Sequence, residues 1–255
     1  MLNRDQLTAM IMSLFIWGFA GALFGSLFAG LYQVLQILDF PGAYPMILAA
    51  TAAAMTTTAF YSAMPVALIG AMAGVLSSIS YLIASNHDIH FTMITGIAAT
   101  AGVIAGSFHS WVSSATSRPL AITFTGLLAG FLTGMLLAVI LALSGIQTSM
   151  FWLAAAVVAM VGSLFQISKQ WILIRFSGGL PGSFSAPIVA GLIASVVGAS
   201  IWLMGGTTAT VIDTQPRDVL SLILHDIPPG LLGGLLGGVA AGFLLELFGF
   251  HLEEH

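Results

Sequence analysis

Long apolar stretches, separated by short groups of proline, glycine and charged residues, run along almost the whole chain. A helix needs about 20 apolar residues to cross the hydrocarbon core of a bilayer. The stretches are uniformly apolar and do not alternate, which favours helices over a transmembrane barrel. The eight predicted spans are 8–38, 44–63, 65–85, 91–113, 119–144, 150–168, 185–204 and 229–250.

Two details of this span assignment stay open. The short connection at Met64-Pro65 is either a loop between two spans or a kink within one longer helix. Residues 173–181 are either an interfacial turn or a continuation of the sixth helix. The sequence therefore predicts about eight transmembrane helices.

Composition explains why lipid has to be the solvent. Charged residues make up 5% of the 255 residues and apolar residues 58%, with a mean hydropathy of +1.07, whereas an average soluble domain has about 25% charged residues. A soluble fold of this composition would expose large apolar patches and aggregate. The chain is thus predicted to be an all-α integral membrane protein in contact with the lipid bilayer.

The few charged residues predict an orientation. Four of the five basic residues fall on one side of the predicted membrane: Arg4, Arg118, Lys169 and Arg175. The opposite side carries Arg217 and most of the aspartates: Asp39, Asp88, Asp213, Asp218 and Asp226. The positive-inside rule then predicts a protein of the cell inner membrane with both termini in the cytoplasm.

A tripeptide occurs twice and indicates an internal duplication. His87-Asp88-Ile89 and His225-Asp226-Ile227 each precede an apolar, glycine-rich stretch. Residues 1–116 and 117–255 are predicted to be two four-helix repeats within one membrane domain. Because four crossings return the chain to its starting side, the repeats would be parallel, with a pseudo-two-fold axis along the membrane normal. The alternative is chance similarity between apolar segments.

Small residues recur at helical spacing on several spans. Gly21, Gly25 and Ala29 form one stripe, and similar stripes are Gly126-Gly130-Gly134 and Gly230-Gly234-Gly238. Such faces let helix backbones approach closely in a membrane. They predict tight packing, or alternatively sliding between two conformers.

Ionisable residues inside a bilayer are candidates for function. His109 and Glu246 lie near the same end of the fourth and eighth predicted spans. A histidine beside a carboxylate can relay protons near neutral pH. We therefore predict that they form a coupling pair or proton relay, unless both simply lie at the water interface.

Polar groups at the opposite side form a second candidate site. It consists of His87, Asp88, His90, His225 and Asp226. Imidazole with carboxylate can bind zinc or another divalent ion, or attract a cation to an outer vestibule. The alternative is helix capping by the two aspartates, with Pro228-Pro229 at a helix start.

The second predicted span is rich in hydroxyl groups. Thr51, Thr58 and Ser62 share one helical face and could line a polar pathway. The alternative is that these hydroxyls bond back to carbonyls of their own helix.

Several classes of function are disfavoured. The sequence contains no paired acidic motif for prenyl or phosphoryl chemistry, no intact HExxH, no P-loop and no cysteine, so we do not predict an enzyme. The net charge of −4, without a basic run, also disfavours nucleic acid as a partner. An intramembrane enzyme would require a metal at the His-Asp cluster; the cofactor remains unknown.

Two functions remain. The first is a permease or channel for a small solute or ion, with a pathway between the two four-helix halves and with or without coupling to protons. The second is a non-catalytic anchor or scaffold subunit of a larger membrane complex. A polar cavity at the central seam favours transport, whereas a closed seam with outward-facing glycines favours a scaffold. Homo-oligomers and partner membrane subunits are compatible with both.

Overall fold

A computed structural model describes residues 4–85, 90–113, 116–176, 182–205 and 216–248. All regular structure in these ranges is helical. The helices are α1 (Arg4–Ile37), α2 (Tyr44–Ala84), α3 (Phe91–Val112), α4 (Arg118–Ser144), α5 (Met150–Phe176), α6 (Ser185–Gly205) and α7 (Pro216–Leu247), with a 3₁₀ turn at Gly182–Phe184. The seven long helices are all long and apolar enough to span a membrane. The predicted all-helical class is confirmed for these ranges, and the helices are compatible with a membrane protein.

Most helix ends lie within two residues of the predicted ones, because proline and glycine mark them. Helix α4 has a proline in its first turn and ends at Gly145, which adopts the left-handed conformation that terminates helices. Helix α5 continues to Phe176. Of the two alternatives for residues 173–181, continuation of the helix is therefore correct up to Phe176.

The start of the last helix was predicted wrongly. Pro228 and Pro229 lie inside α7, which begins at Pro216. A proline cannot donate to the carbonyl four residues before it. The carbonyls that lose a donor in this way belong to Leu224 and His225. Asp226 is consequently a residue of the helix interior and does not cap it.

Helix α2 is broken in its middle. Ala63 has φ −154° and ψ 61°, which is far from helical. Pro65 follows two residues later, and its ring disfavours helical geometry at Met64, the residue before it. Because proline has no N–H, it also cannot donate a hydrogen bond to the Tyr61 carbonyl. The break divides α2 into a first segment (residues 44–62) and a second segment (residues 64–84).

Five helices form the larger part of the bundle, and small residues set their contacts. Helix α1 packs antiparallel to α7, since Gly21 faces Gly234 and Gly25 faces Gly230. The first segment of α2 packs antiparallel to α4, where Gly130 lies against Ala50 and Ala54. Helix α5 runs parallel to α7 and also contacts α4.

The second segment of α2 packs with α3 and α6. Gly70 and Gly74 lie against Ala190 and Ala194, so this segment runs parallel to α6. Gly106 of α3 lies against Ala186, which makes α3 antiparallel to α6. The predicted role of the glycine stripes in close packing is thus observed.

The starts of α4 and α6 meet beside the break in α2. The Leu120 amide donates to the Ser185 hydroxyl at 3.2 Å, and both residues are buried. A polar cavity joins Ala63, Pro119 and Ser185 to the end of α3. We call this the Arg118 end, after the first residue of α4, and the opposite one the Asp39 end, after the connection between α1 and α2.

The contacts between helices do not follow the predicted two-fold relation. That relation would superpose α1 on α4 and α3 on α7. Helices α1 and α7 pack along much of their length, but in the described ranges α3 and α4 make hardly any contact. The duplication stays a prediction from the sequence.

Candidate functional site

A cleft opens between α1, the first segment of α2, and α5. It has a cavity volume of about 90 Å³. It therefore lies between two helices of the first predicted half and one of the second. Its lining residues are Ile16, Trp17, Ala20, Gly21, Phe24, Ala54, Thr57, Thr58, Tyr61, Val158, Val161, Gly162, Phe165, Gln166 and Lys169.

The cleft is polar at one end and apolar along its length. Tyr61, Gln166 and Lys169 line the end that lies towards the Arg118 end of the bundle, because α5 ends on the side where α4 begins. Lys169 belongs to the apolar span of α5, Met150–Ile174. A charged residue within a span normally faces protein or a water-filled cavity, and this one borders the cleft.

Aromatic rings close the other end of the cleft. Phe24 lines the cleft and is 4% exposed, and Phe28, one turn further, is completely buried. Their rings stack with centroids 6.4 Å apart, and Phe28 stacks on Tyr32 at 5.5 Å. This stack occupies the bundle between the cleft and the Asp39 end.

The hydroxyls of α2 do not behave alike. Thr51 donates to the Ile47 carbonyl at 2.6 Å, and Ser62 donates to Ala59 at 3.4 Å. Neither lines the cleft. Thr58 does, but its hydroxyl donates to the Ala54 carbonyl at 2.8 Å. All three predicted pathway residues thus bond back to their own helix, the alternative left open above.

Thr57 differs from these three residues in this respect. It lines the cleft, and among the described residues its buried hydroxyl oxygen has no hydrogen-bond partner. A buried hydroxyl usually has a partner, and one that lacks a protein partner is commonly satisfied by water or a ligand. Thr57 is therefore the hydroxyl of α2 best suited to meet a molecule in the cleft.

His109 lines a separate cavity of about 170 Å³ at the break in α2. Ser110, Ser113, Thr116 and Ser185 provide hydroxyl groups around it. The Ser110 hydroxyl is buried without a partner among the described residues. His109 thus borders a polar space at the Arg118 end.

Glu246 lies near the end of α7, also at the Arg118 end, but is not among the residues that line the His109 cavity. Gly162 of α5 lies against Ala241 of α7. From this contact the two helices continue in the same direction, α5 to Lys169 and α7 to Glu246. The structure therefore puts Glu246 on the side of α5, at the level of the polar end of the cleft.

The predicted metal or vestibule cluster is only partly described. His87 and Asp88 lie outside the described residues. His90 is an exposed residue at the start of α3. His225 Nδ1 lies 3.3 Å from Asp226 Oδ1 on α7, with the imidazole largely exposed. Among the residues that the structure describes, no group of three or more His, Asp or Glu could hold a metal ion.

Gln166 and Lys169 were missed as site residues. The sequence signal for them is a stripe on α5 at helical spacing that begins at Val158 and ends with these two polar residues.

Comparison with protein-family models, curated proteins and solved structures finds no match to this chain.

Proposed function

We propose that the chain crosses the membrane eight times and that α2 provides two of the crossings. With 41 residues and a rise of about 1.5 Å per residue, a continuous α2 would measure about 60 Å, twice the hydrocarbon core. Each of its segments is about 30 Å long and fits one crossing.

The packing directions support this reversal. The first segment of α2 is antiparallel to α4, and the second is parallel to α6. Helices α4 and α6 begin side by side at Leu120 and Ser185. Both helices are long and apolar enough to cross the membrane, so each ends on the opposite side. Helices α4 and α6 therefore run in the same direction, and the two segments of α2 run in opposite directions.

With eight crossings, both termini lie on the side of the Arg118 end. Arg118 at the start of α4 and Lys169 near the end of α5 share that side. The positive-inside rule then assigns this side to the cytoplasm of a cell whose inner membrane holds the protein.

We propose that the protein is a permease or channel for a small solute and that the cleft is the part of the pathway open to the Arg118 end. The observation that carries this proposal is the cleft between α1, α2 and α5, with Lys169 and Gln166 at its polar end. A charged side chain on an apolar span is costly unless it borders a polar space. The stack that begins at Phe24 is then the barrier towards the other side.

The inward position of the glycines supports transport over the scaffold alternative. A scaffold that docks partner helices through glycine stripes would leave those stripes exposed. Gly21, Gly130, Gly134 and Gly234 are instead buried against other helices of the same chain. Helices of the same chain therefore already cover the glycine stripes, which a partner helix would need.

We further propose that His109 and Glu246 couple transport to protons. His109 borders the polar cavity at the break in α2, where two helix segments could change their relative angle. Glu246 lies at the same end of the bundle. Flux driven by an imposed pH gradient should fall in His109→Ala and in Glu246→Gln, and unchanged flux in both variants would remove the coupling pair.

The pathway is tested by removal of the barrier. Phe24→Ala together with Phe28→Ala should connect the cleft to the Asp39 end. We expect the glycerol permeability of proteoliposomes, followed by light scattering after an osmotic step, to rise several-fold over the original protein. The matched control is Phe15→Ala with Phe19→Ala, because these rings lie on the same helix but are 70% and 61% exposed.

A double variant that remains monodisperse and folded but no leakier than its control would overturn the pathway and favour the scaffold. Equal leaks in both double variants would indicate general loosening of α1, and would also contradict a barrier at Phe24.

A further inference from the structure

We infer that the polar cavity at the break in α2 binds a small oxyanion of the size of phosphate or sulfate. Two buried hydroxyl groups, the starts of three helices and the charges around the cavity point to this class of ligand. The cavity is separate from the cleft, so this binding does not require that the cleft conducts a solute.

The Ser185 hydroxyl has a proton to donate but no acceptor for it in the part of the chain that the structure describes. Ser185 lines the cavity and is 2% exposed. Its oxygen accepts a hydrogen bond from the Leu120 amide at 3.2 Å, which leaves the O–H as the donor still to be satisfied. A buried donor without an acceptor is costly. An acceptor inside the cavity would remove this cost.

Ser110 on α3 provides a second donor of this kind. It lines the cavity, and among the described residues its buried hydroxyl oxygen has no hydrogen-bond partner. Serine in an apolar helix commonly donates to the carbonyl four residues before it, as Ser107 does to Val103. Ser110 makes no such bond to Gly106. Two buried hydroxyls that can donate favour a ligand that accepts hydrogen bonds.

Three helices begin at the cavity. Pro65 and Val66 belong to the start of the second segment of α2, Pro119 to the start of α4, and Ser185 and Ala186 to the start of α6. The start of a helix carries a partial positive charge and favours an anion. The ends of α3 and of the first segment of α2 also reach the cavity, but the starts outnumber them. The helix dipoles and the hydroxyl donors therefore favour the same class of ligand.

The side chains around the cavity favour an anion over a cation. His109, Ser113 and Thr116 add hydrogen-bonding groups to the lining, which contains no aspartate or glutamate. Sites for divalent cations normally include carboxylate ligands. Arg118 is exposed beside Pro119 at the start of α4, and a positive charge there attracts anions from the water to the cavity.

The size of the cavity limits the ligand to a small ion. Its volume is about 170 Å³, and one water occupies on the order of 10–15 Å³ by the same measure. Phosphate or sulfate fits this space together with several waters. The phosphate can be a free ion or the head group of a lipid whose chains stay outside the cavity, since both present the same oxygens.

The experiment measures binding of inorganic phosphate to the full chain in dodecyl maltoside, through the broadening of the phosphorus resonance at constant pH and ionic strength. We expect saturable broadening that sulfate reverses. Acetamide, a neutral molecule with a carbonyl acceptor, should not compete. Absence of saturable broadening, or equal competition by sulfate and acetamide, would overturn the inference.

Variants at two serines of α3 assign the binding to the cavity. Ser110→Ala should raise the dissociation constant for phosphate about tenfold, the effect of one hydrogen bond to a charged group. Ser110→Thr keeps the hydroxyl and should retain most of the affinity. Ser107→Ala is the matched control, because Ser107 lies on the same helix but does not line the cavity. Equal affinities of Ser110→Ala and Ser107→Ala would contradict the assignment.

A second variant keeps the test valid if Ser110→Ala does not fold. Ala63 lines the cavity at the break, so Ala63→Leu should fill part of the space and weaken phosphate binding at least threefold. Ala142→Leu, at an exposed site on α4, should not. Unaltered binding in Ala63→Leu would exclude the cavity as the site.

Two competitors distinguish the sources of the phosphate group. Displacement by dihexanoyl phosphatidate at lower concentration than by methyl phosphate would identify a lipid head group, and the reverse order would identify a free ion; either result retains the oxyanion site. Phosphate binding without the glycerol leak of the Phe24 and Phe28 variant would leave the site and remove the pathway. The leak without phosphate binding would leave the pathway and remove the site.

Discussion

Gly21 of α1 and Gly234 of α7 face each other so closely that a methyl group on either one would overlap the carbonyl oxygen of the other. No other residue type lets two helix backbones approach this far, because every other side chain begins with a Cβ. In lipid, where apolar side chains gain little by leaving the solvent, such close contact is a main source of helix association. Helix α1, which forms one wall of the cleft, is thus held in position through α7.

Gly234→Val should therefore destabilise the bundle. Overpacking of a close contact costs about 1–3 kcal/mol, which for a chain of this size lowers the melting temperature by on the order of 5 °C. The measurement is thermal unfolding in detergent. Gly96→Val is the matched control, because a side chain at Gly96 would meet nothing within 4 Å. Equal melting temperatures for the two variants would contradict the importance of this contact.

The reversal of α2 can be tested with single cysteines, since the chain has none of its own. With eight crossings, Ala43→Cys and Ser85→Cys react with an impermeant maleimide from one side of the membrane, and Met64→Cys reacts from the other. If α2 were a single crossing, the cysteines at 43 and 85 would react from opposite sides. Labelling of intact cells before and after permeabilisation distinguishes these results.

Helix positions were largely predictable because local chemistry determines them. The span predicted at 91–113 is helix Phe91–Val112, and the span at 119–144 is Arg118–Ser144. Proline removes a donor from the hydrogen-bond ladder, and a glycine can adopt the left-handed conformation that ends a helix, as Gly145 does after α4. Pro228-Pro229 misled because the same pair can begin a helix or lie within one, and α7 begins earlier, at Pro216.

The site was less predictable because it depends on which helix faces meet. The hydroxyls of α2 attracted attention as rare polar groups, yet Thr51 and Ser62 are satisfied locally. Gln166 and Lys169 acquire a role only because α5 lies opposite α1 and α2 across the cleft. Periodicity reveals that α5 has a stripe, but not what the stripe faces.

Water access to the cleft gives another prediction. Gln166→Cys should react with an impermeant maleimide added at the Arg118 end, because the residue lines the polar part of the cleft. Ser163→Cys, an almost isosteric change on the same helix, should react at least tenfold more slowly, since Ser163 does not line the cleft and thiols react as hydrated thiolates. Similar labelling rates at the two positions would indicate that the cleft does not reach water.

The junction between α4 and α6 gives the last prediction. Ser185 is 2% exposed, and its hydroxyl accepts a hydrogen bond from the Leu120 amide. The first amides of a helix have no carbonyl partner within that helix, and the Leu120 amide at the start of α4 is one of them. Ser185→Ala leaves this amide buried and unpaired, so we expect a loss of about 1–3 kcal/mol and a melting temperature lower by several degrees. Ser107→Ala is the control, because Ser107 is exposed and its hydroxyl donates to the Val103 carbonyl of its own helix. Its effect should stay within about 0.5 kcal/mol. Equal melting temperatures for Ser185→Ala and its control would mean that this hydrogen bond does not hold the starts of α4 and α6 together.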